Sequence, residues 1–93
     1  MVHGCRTSGV LTASAVVCRH QCKLISIHAS EQGGSTALVK IYDGTSTSGL
    51  EIARITLSAI QTIEFDMHGV ICKNGIYFEE VSGGDVAVSI EFA

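Results

Sequence analysis

Apolar and polar residues alternate along most of this chain with a period of two. In the last segment Val86, Val88, Ile90 and Phe92 fall on one side, and Ala87, Ser89 and Glu91 on the other. That is the pattern of a half-buried β-strand. The segment Gly75–Val81 just before it is rich in aromatic and β-branched residues. Ser82-Gly83-Gly84-Asp85 lies between the two, and its glycines permit the positive φ angles of a tight turn. The pattern predicts that these two strands form a β-hairpin.

Earlier segments follow the same rule. Val10–Val17 and Lys23–Ala29 are predicted strands, the second with Ile25, Ile27 and Ala29 on one face. Thr36–Tyr42 alternates Ala37, Val39 and Ile41 with Leu38, Lys40 and Tyr42. Glu51–Leu57 groups Ala53, Ile55 and Leu57, and Gln61–Met67 groups Ile63, Phe65 and Met67. Between Tyr42 and Leu50 runs a soft stretch, Asp43-Gly44-Thr45-Ser46-Thr47-Ser48-Gly49. The segments are too short, too β-branched and too often interrupted by Gly for helices.

The expected fold is therefore all-β: an antiparallel β-sandwich or jelly-roll-like arrangement of seven or eight short strands with almost no helix. Its core is expected to include Ile25, Ile27, Val39, Ile41, Ile55, Phe65, Val88 and Ile90. The 93 residues make one domain, 1–93, in which 1–22 is the least regular segment. A chain of this size buries roughly two thirds of the surface it exposes when unfolded, so its core is thin.

Composition changes the picture in two places. The chain has no Pro, a residue that often guards sheet edges, so neighbouring subunits are one expected way of covering them. Net charge is −3, of the wrong sign for phosphate-driven nucleic-acid binding. No acidic residue precedes Glu31, whereas Glu64, Asp66, Glu79, Glu80, Asp85 and Glu91 follow Gln61 against Lys73 alone. This asymmetry offers either head-to-tail contacts between copies or merely solvated strand faces. No apolar run approaches the roughly 20 residues of a membrane span. The start imitates a lipidated signal only faintly, because Val17 occupies the small-residue position before Cys18. A soluble protein made in a reducing cytosol is expected.

Candidate chemistry is sparse. Cys18, His20 and Cys22 are all zinc-ligand types, but on an extended strand the outer two would stand about 13 Å apart. If Arg19-His20-Gln21 turns the chain, the two cysteines come within disulfide reach. The choices are reduced structural thiols, a disulfide, or a metal completed by Cys5, Cys72, His28 or His68. Reduced thiols fit a cytosolic chain best, and no metal or other cofactor is expected. Asp66 and His68 are spaced to share a strand face, yet no Ser stands in a nucleophile elbow. Asp43 has no second carboxylate in its loop for calcium. Glu79 and Glu80 are adjacent, so on a strand they point apart and cannot act as an acid–base pair. No catalytic residue is assigned, and the chain is expected not to be an enzyme. Tyr42 and Tyr77 are the one candidate sugar-stacking platform, against the plainer reading that both rings cover the sheet.

The run "KIYDGTSTSGLEIARITL" followed by "HGVICKNGIYFEEVSGGDVAVSIEF" resembles a diffuse group of small proteins encoded in the structural-gene regions of tailed phages, common among marine ones. The likeness covers about residues 24–93 and leaves out the cysteine-bearing start. It implies a virion-associated β-sandwich, a head-decoration or tail component assembled in the host bacterial cytoplasm, and carries over no functional residues. Expected partners are copies of the chain, a trimer on the strength of the resemblance, and other virion proteins, with neither nucleic acid nor membrane. Leu24, Leu38 and Ile52, taken as exposed apolar positions, also favour self-association. The alternative from another class is a carbohydrate- or surface-binding module.

Overall fold

The structure, a computed structural model, describes residues 5–93. These fold into eight strands: β1 (Arg6–Thr7), β2 (Ala15–Cys18), β3 (Cys22–Glu31), β4 (Ala37–Asp43), β5 (Leu50–Leu57), β6 (Thr62–Cys72), β7 (Ile76–Gly83) and β8 (Val86–Phe92). The strands form two four-stranded antiparallel sheets, ordered β1-β8-β3-β6 and β2-β7-β4-β5. Among the described residues there is no helix. This is the expected β-sandwich, and its strand order is that of a jelly roll, two four-stranded sheets wound from Greek keys.

Only β4 and β5 are both consecutive and paired; every other connection carries the chain from one sheet to the other. The soft stretch Gly44–Gly49 is thus the loop of the one sequential hairpin. By contrast, the hairpin predicted between β7 and β8 does not form: β7 pairs with β2 and β4, and β8 with β1 and β3. The turn is tight, as Gly83 and Gly84 (φ +81° and +29°) allow, but it arches between sheets. β8 buries Val86, Val88, Ile90 and Phe92 on one face and β7 buries Ile76 and Phe78, and the arch sets those faces against each other across the sandwich. Gly83 has a second reason to be glycine. A Cβ there would run into the carbonyl of Thr36, beside the pair Ala37–Gly83.

Inside the sandwich the period-two reading holds where the strands are regular. Ala37, Val39 and Ile41 of β4, Ile55 and Leu57 of β5, and Val86, Val88, Ile90 and Phe92 of β8 are buried, together with Ile76 and Phe78 of β7. It fails on β3. Leu24 is completely buried, whereas Ile25, assigned to the core from sequence, is only half-buried. The cause is a bulge: against β8, Leu24 opposes Phe92 and Ser26 opposes Glu91, so Ile25 is an extra residue on β3, and on its other side it faces the looser stretch Met67-His68-Gly69 of β6. One inserted residue flips the facing of everything before it. Ile27 and Ala29 keep their predicted faces and are buried. Phe65, the other misplaced core residue, opposes Ile27, yet remains 38% exposed because β6 is an edge strand with nothing beyond it.

Two boundaries also differ. The predicted strand Val10–Val17 shrinks to β2, with Leu11 making an isolated bridge to Val88. The predicted Gln61–Met67 continues as β6 to Cys72, passing His68 and Gly69 at positive φ (56° and 77°) and pairing again from Val70. The charge asymmetry along the sequence is not one in space. Early β2 and β3 lie directly beside late β7 and β8.

Candidate functional site

Most carboxylates of the molecule hold its own backbone or its neighbours. Asp43 ends β4 and accepts the amides of Lys73 (3.1 Å) and Asn74 (2.8 Å), fixing the β6–β7 turn. The loop's flexibility is bounded there. Gly44 N–H donates to the Gly75 carbonyl at 3.1 Å, and a Cβ on Gly49 would run into the Asp43 carbonyl.

Glu31, which no sequence motif marked, is the most constrained polar group. Its side chain is buried, 1% exposed, and accepts five backbone N–H groups. Gly34, Ser35 and Ile60 donate to Oε1 (2.8, 3.1 and 3.1 Å), and Gly33 and Asp85 to Oε2 (2.9 and 3.0 Å). One carboxylate thereby joins the β3–β4, β5–β6 and β7–β8 connections. A Cβ on Gly84 would collide with this side chain. Burial alone would raise the carboxyl's pKa, but the N–H groups of Ile60, Gly33, Asp85 and Gly34 outweigh it and hold it down at about 2. The only signal in the sequence is the glycine pairs Gly33-Gly34 and Gly83-Gly84, which leave room for a carboxylate between them.

On the outer face of the β2-β7-β4-β5 sheet the structure brings Tyr42 and Tyr77 together as cross-strand partners, with ring centroids 6.3 Å apart and planes tilted by 48°. The Tyr42 hydroxyl donates to Glu79 at 2.8 Å, and the ring is 7% exposed. That hydrogen bond, reinforced by burial, pushes the phenol up to about 12. Arg54 grips Glu51 through two bonds (2.8 and 3.1 Å), and Lys40 approaches the same carboxylate at 3.8 Å. The guanidinium holds Glu51 below the usual carboxylate range. Glu80 lies elsewhere, lining a shallow cavity of about 310 Å³ with Thr12, Gln32 and Asp85. Glu79 and Glu80 therefore serve different surroundings, as their adjacency implies.

The opposite face is organised around Glu91, which accepts from Ser26 (2.8 Å) and Thr7 (3.1 Å) and lies 2.7 Å from His28 Nε2. Asp66 and His68 do meet, but locally. Asp66 Oδ1 accepts the His68 amide at 2.8 Å and stands 3.4 Å from the ring, with both side chains open to water. They brace the β6 bulge.

Cys18 ends β2 and Cys22 begins β3, with Arg19-His20-Gln21 as a bend that crosses between sheets. Cys72 is the cross-strand partner of Cys22, so three buried thiols gather at one end of the sandwich. Burial first, then the Cys18 thiol hydrogen-bonded to it, pushes the Cys22 thiol up to about 12. Burial and the Asp43 charge push Cys72 to about 11. Cys18 Sγ donates to the His20 carbonyl at 3.2 Å and lies 3.6 Å from His20 Nδ1. Among the described residues no three His, Cys, Asp or Glu side chains are arranged to hold a metal ion.

No protein-family model, no curated protein and no solved structure matches this chain.

Proposed function

We propose that this chain is a non-enzymatic phage structural protein, an oligomeric component of the virion in capsid decoration or the tail, assembled in the host cytoplasm. The observation that carries the reading is how the polar groups are used. Glu31, Asp43, Glu51 and Glu91 each bind the molecule's own loops and strands. Such a chain offers a firm shape rather than a set of converging reactive groups. The jelly roll is an architecture of capsid and lectin domains alike, so the fold by itself supports both classes considered. The resemblance over residues 24–93 favours the first.

Self-association is supported by apolar surface along one edge. Ile71 is 58% exposed on β6 and Ile60 68% exposed just before it, with Val70 and Phe65 also in the open. Leu24 no longer contributes, being fully buried, and Leu38 and Ile52 are half-buried. Since basic and acidic strands are interleaved within one subunit, apolar burial rather than charge is the driving term. Light scattering at micromolar concentration is expected to give a multiple of 9.8 kDa, three copies if the resemblance sets the number. Ile71→Asp should weaken association at least about tenfold. A clean monomer would remove the oligomeric reading and favour the binding module.

The binding module rests on the Tyr42–Tyr77 pair. A ring 7% exposed presents little face for stacking on a sugar. A glycan array with the wild type and Tyr77→Ala is expected to show no difference; a ligand lost with Tyr77 would reverse the order of the two readings.

A further inference from the structure

Three thiols and an imidazole at the β2–β3 corner are not used by anything described so far. Cys18 is the last residue of β2 in one sheet and Cys22 the first of β3 in the other. Three residues bend between them, so the two thiols stand at the two ends of one short connection at the same end of the sandwich. Both side chains are 6% exposed, and Cys22 also lines a cavity of about 310 Å³ with Gln21, Lys23, Ile71 and Ala93. A small reagent can therefore reach Cys22 through this cavity, with Cys18 across the bend from it. Cys72 is fully buried, its sulfur turned toward the Val70 carbonyl at 3.8 Å, and it lines no part of this cavity.

We propose that Cys18 and Cys22 are a dithiol site that closes to an intrachain disulfide when met by a small disulfide oxidant of the glutathione disulfide class, tying the two sheets together at this corner. In the first step Cys18 gives its proton to the His20 ring, 3.6 Å away, and its sulfur attacks one sulfur of the oxidant. That bond breaks, and one thiolate leaves and takes up the proton. In the second step Cys22 attacks the Cys18 sulfur of the mixed disulfide, its proton passing to the second departing thiolate. Two protein thiols are oxidised, one small disulfide is reduced to two thiols, and no proton is left over. The neutral Cys22 thiol makes this second step the slower of the two. Such a site stays open in a reducing cytosol and closes outside it. It rests on the corner's geometry alone and does not require copies to assemble.

The test uses the folded chain with the exposed Cys5 replaced, Cys5→Ser, leaving three cysteines. After incubation with glutathione disulfide, alkylation and intact mass are read. Two of those three thiols should be lost, with a mass decrease of two hydrogens. Trypsin cuts after Arg19, so the bond should join the peptide Thr7–Arg19 to His20–Lys23. Cys72→Ser should leave this joined pair intact, whereas Cys22→Ser should yield only a glutathione adduct. Three persisting thiols in the parent, a bond mapped to Cys22–Cys72, or an adduct without closure would each overturn the proposal.

Discussion

Replacing Glu31 by Gln is expected to lower the melting temperature by about 10 °C or more, a larger drop than for any other single polar substitution in this chain. The buried carboxylate accepts five backbone N–H groups from three connections. An amide keeps one acceptor oxygen and turns an NH2 toward donors that need an acceptor, so at least two connections lose their anchor. Acid should do the same to the wild type. The folded carboxyl sits at about 2 against an ordinary 4.5. Because the folded value is depressed, the stabilisation is present above the ordinary value and is lost as pH falls toward the folded one. Thermal melts from pH 6 to pH 2 should show the wild type losing stability from about 4.5 downward, with Glu31→Gln much flatter over that window. Glu64→Gln, at a carboxylate whose side chain is 71% exposed, is the control and should shift the melt little. A Glu31→Gln variant that melts with the wild type would mean that water replaces the carboxylate and that the three connections hold themselves.

Why Glu31 escaped the sequence while β8 did not is a matter of range. Val86, Val88, Ile90 and Phe92 announce themselves because alternation is a local property, and all four are buried. The partners of Glu31 lie at positions 33 to 35, 60 and 85, brought together only when the jelly roll closes. The same limit explains the β7–β8 turn. Gly83-Gly84 specifies a sharp reversal, and nothing local distinguishes a reversal within one sheet from an arch between two. What decides is the pairing of distant strands, β7 with β2 and β4 and β8 with β1 and β3. At the candidate site the sequence brought Cys18 and Cys22 together only on condition that Arg19-His20-Gln21 turned the chain, and offered the tyrosine pair as one of two readings. It left open how each is used, because burial of Tyr42 and the crossing of the Cys18–Cys22 corner between sheets depend on the strand order.

The bulge on β3 allows the sharpest test of the core. From alternation alone Ile25 belongs inside and Leu24 outside, and substitution to Ala should then be more damaging at Ile25. The structure reverses this. Leu24 is fully buried between the sheets, while Ile25 lies half-buried over Gly69, whose added Cβ would stand 3.9 Å from its Cδ1. Leu24→Ala removes a packed side chain in a core this thin, and a loss of about 2–5 kcal/mol is expected. Ile25→Ala removes apolar surface that already meets water in part, and a loss of about 1 kcal/mol or less is expected. Urea unfolding followed by circular dichroism measures both, and similar slopes for the two variants would show that the difference lies in the folded state. The ratio matters more than either value. Were Ile25→Ala the more costly change, the extra residue of β3 would have to lie elsewhere. Leu24 would then return to the surface as part of an apolar patch, and the β6 edge would no longer be the main surface for a second copy.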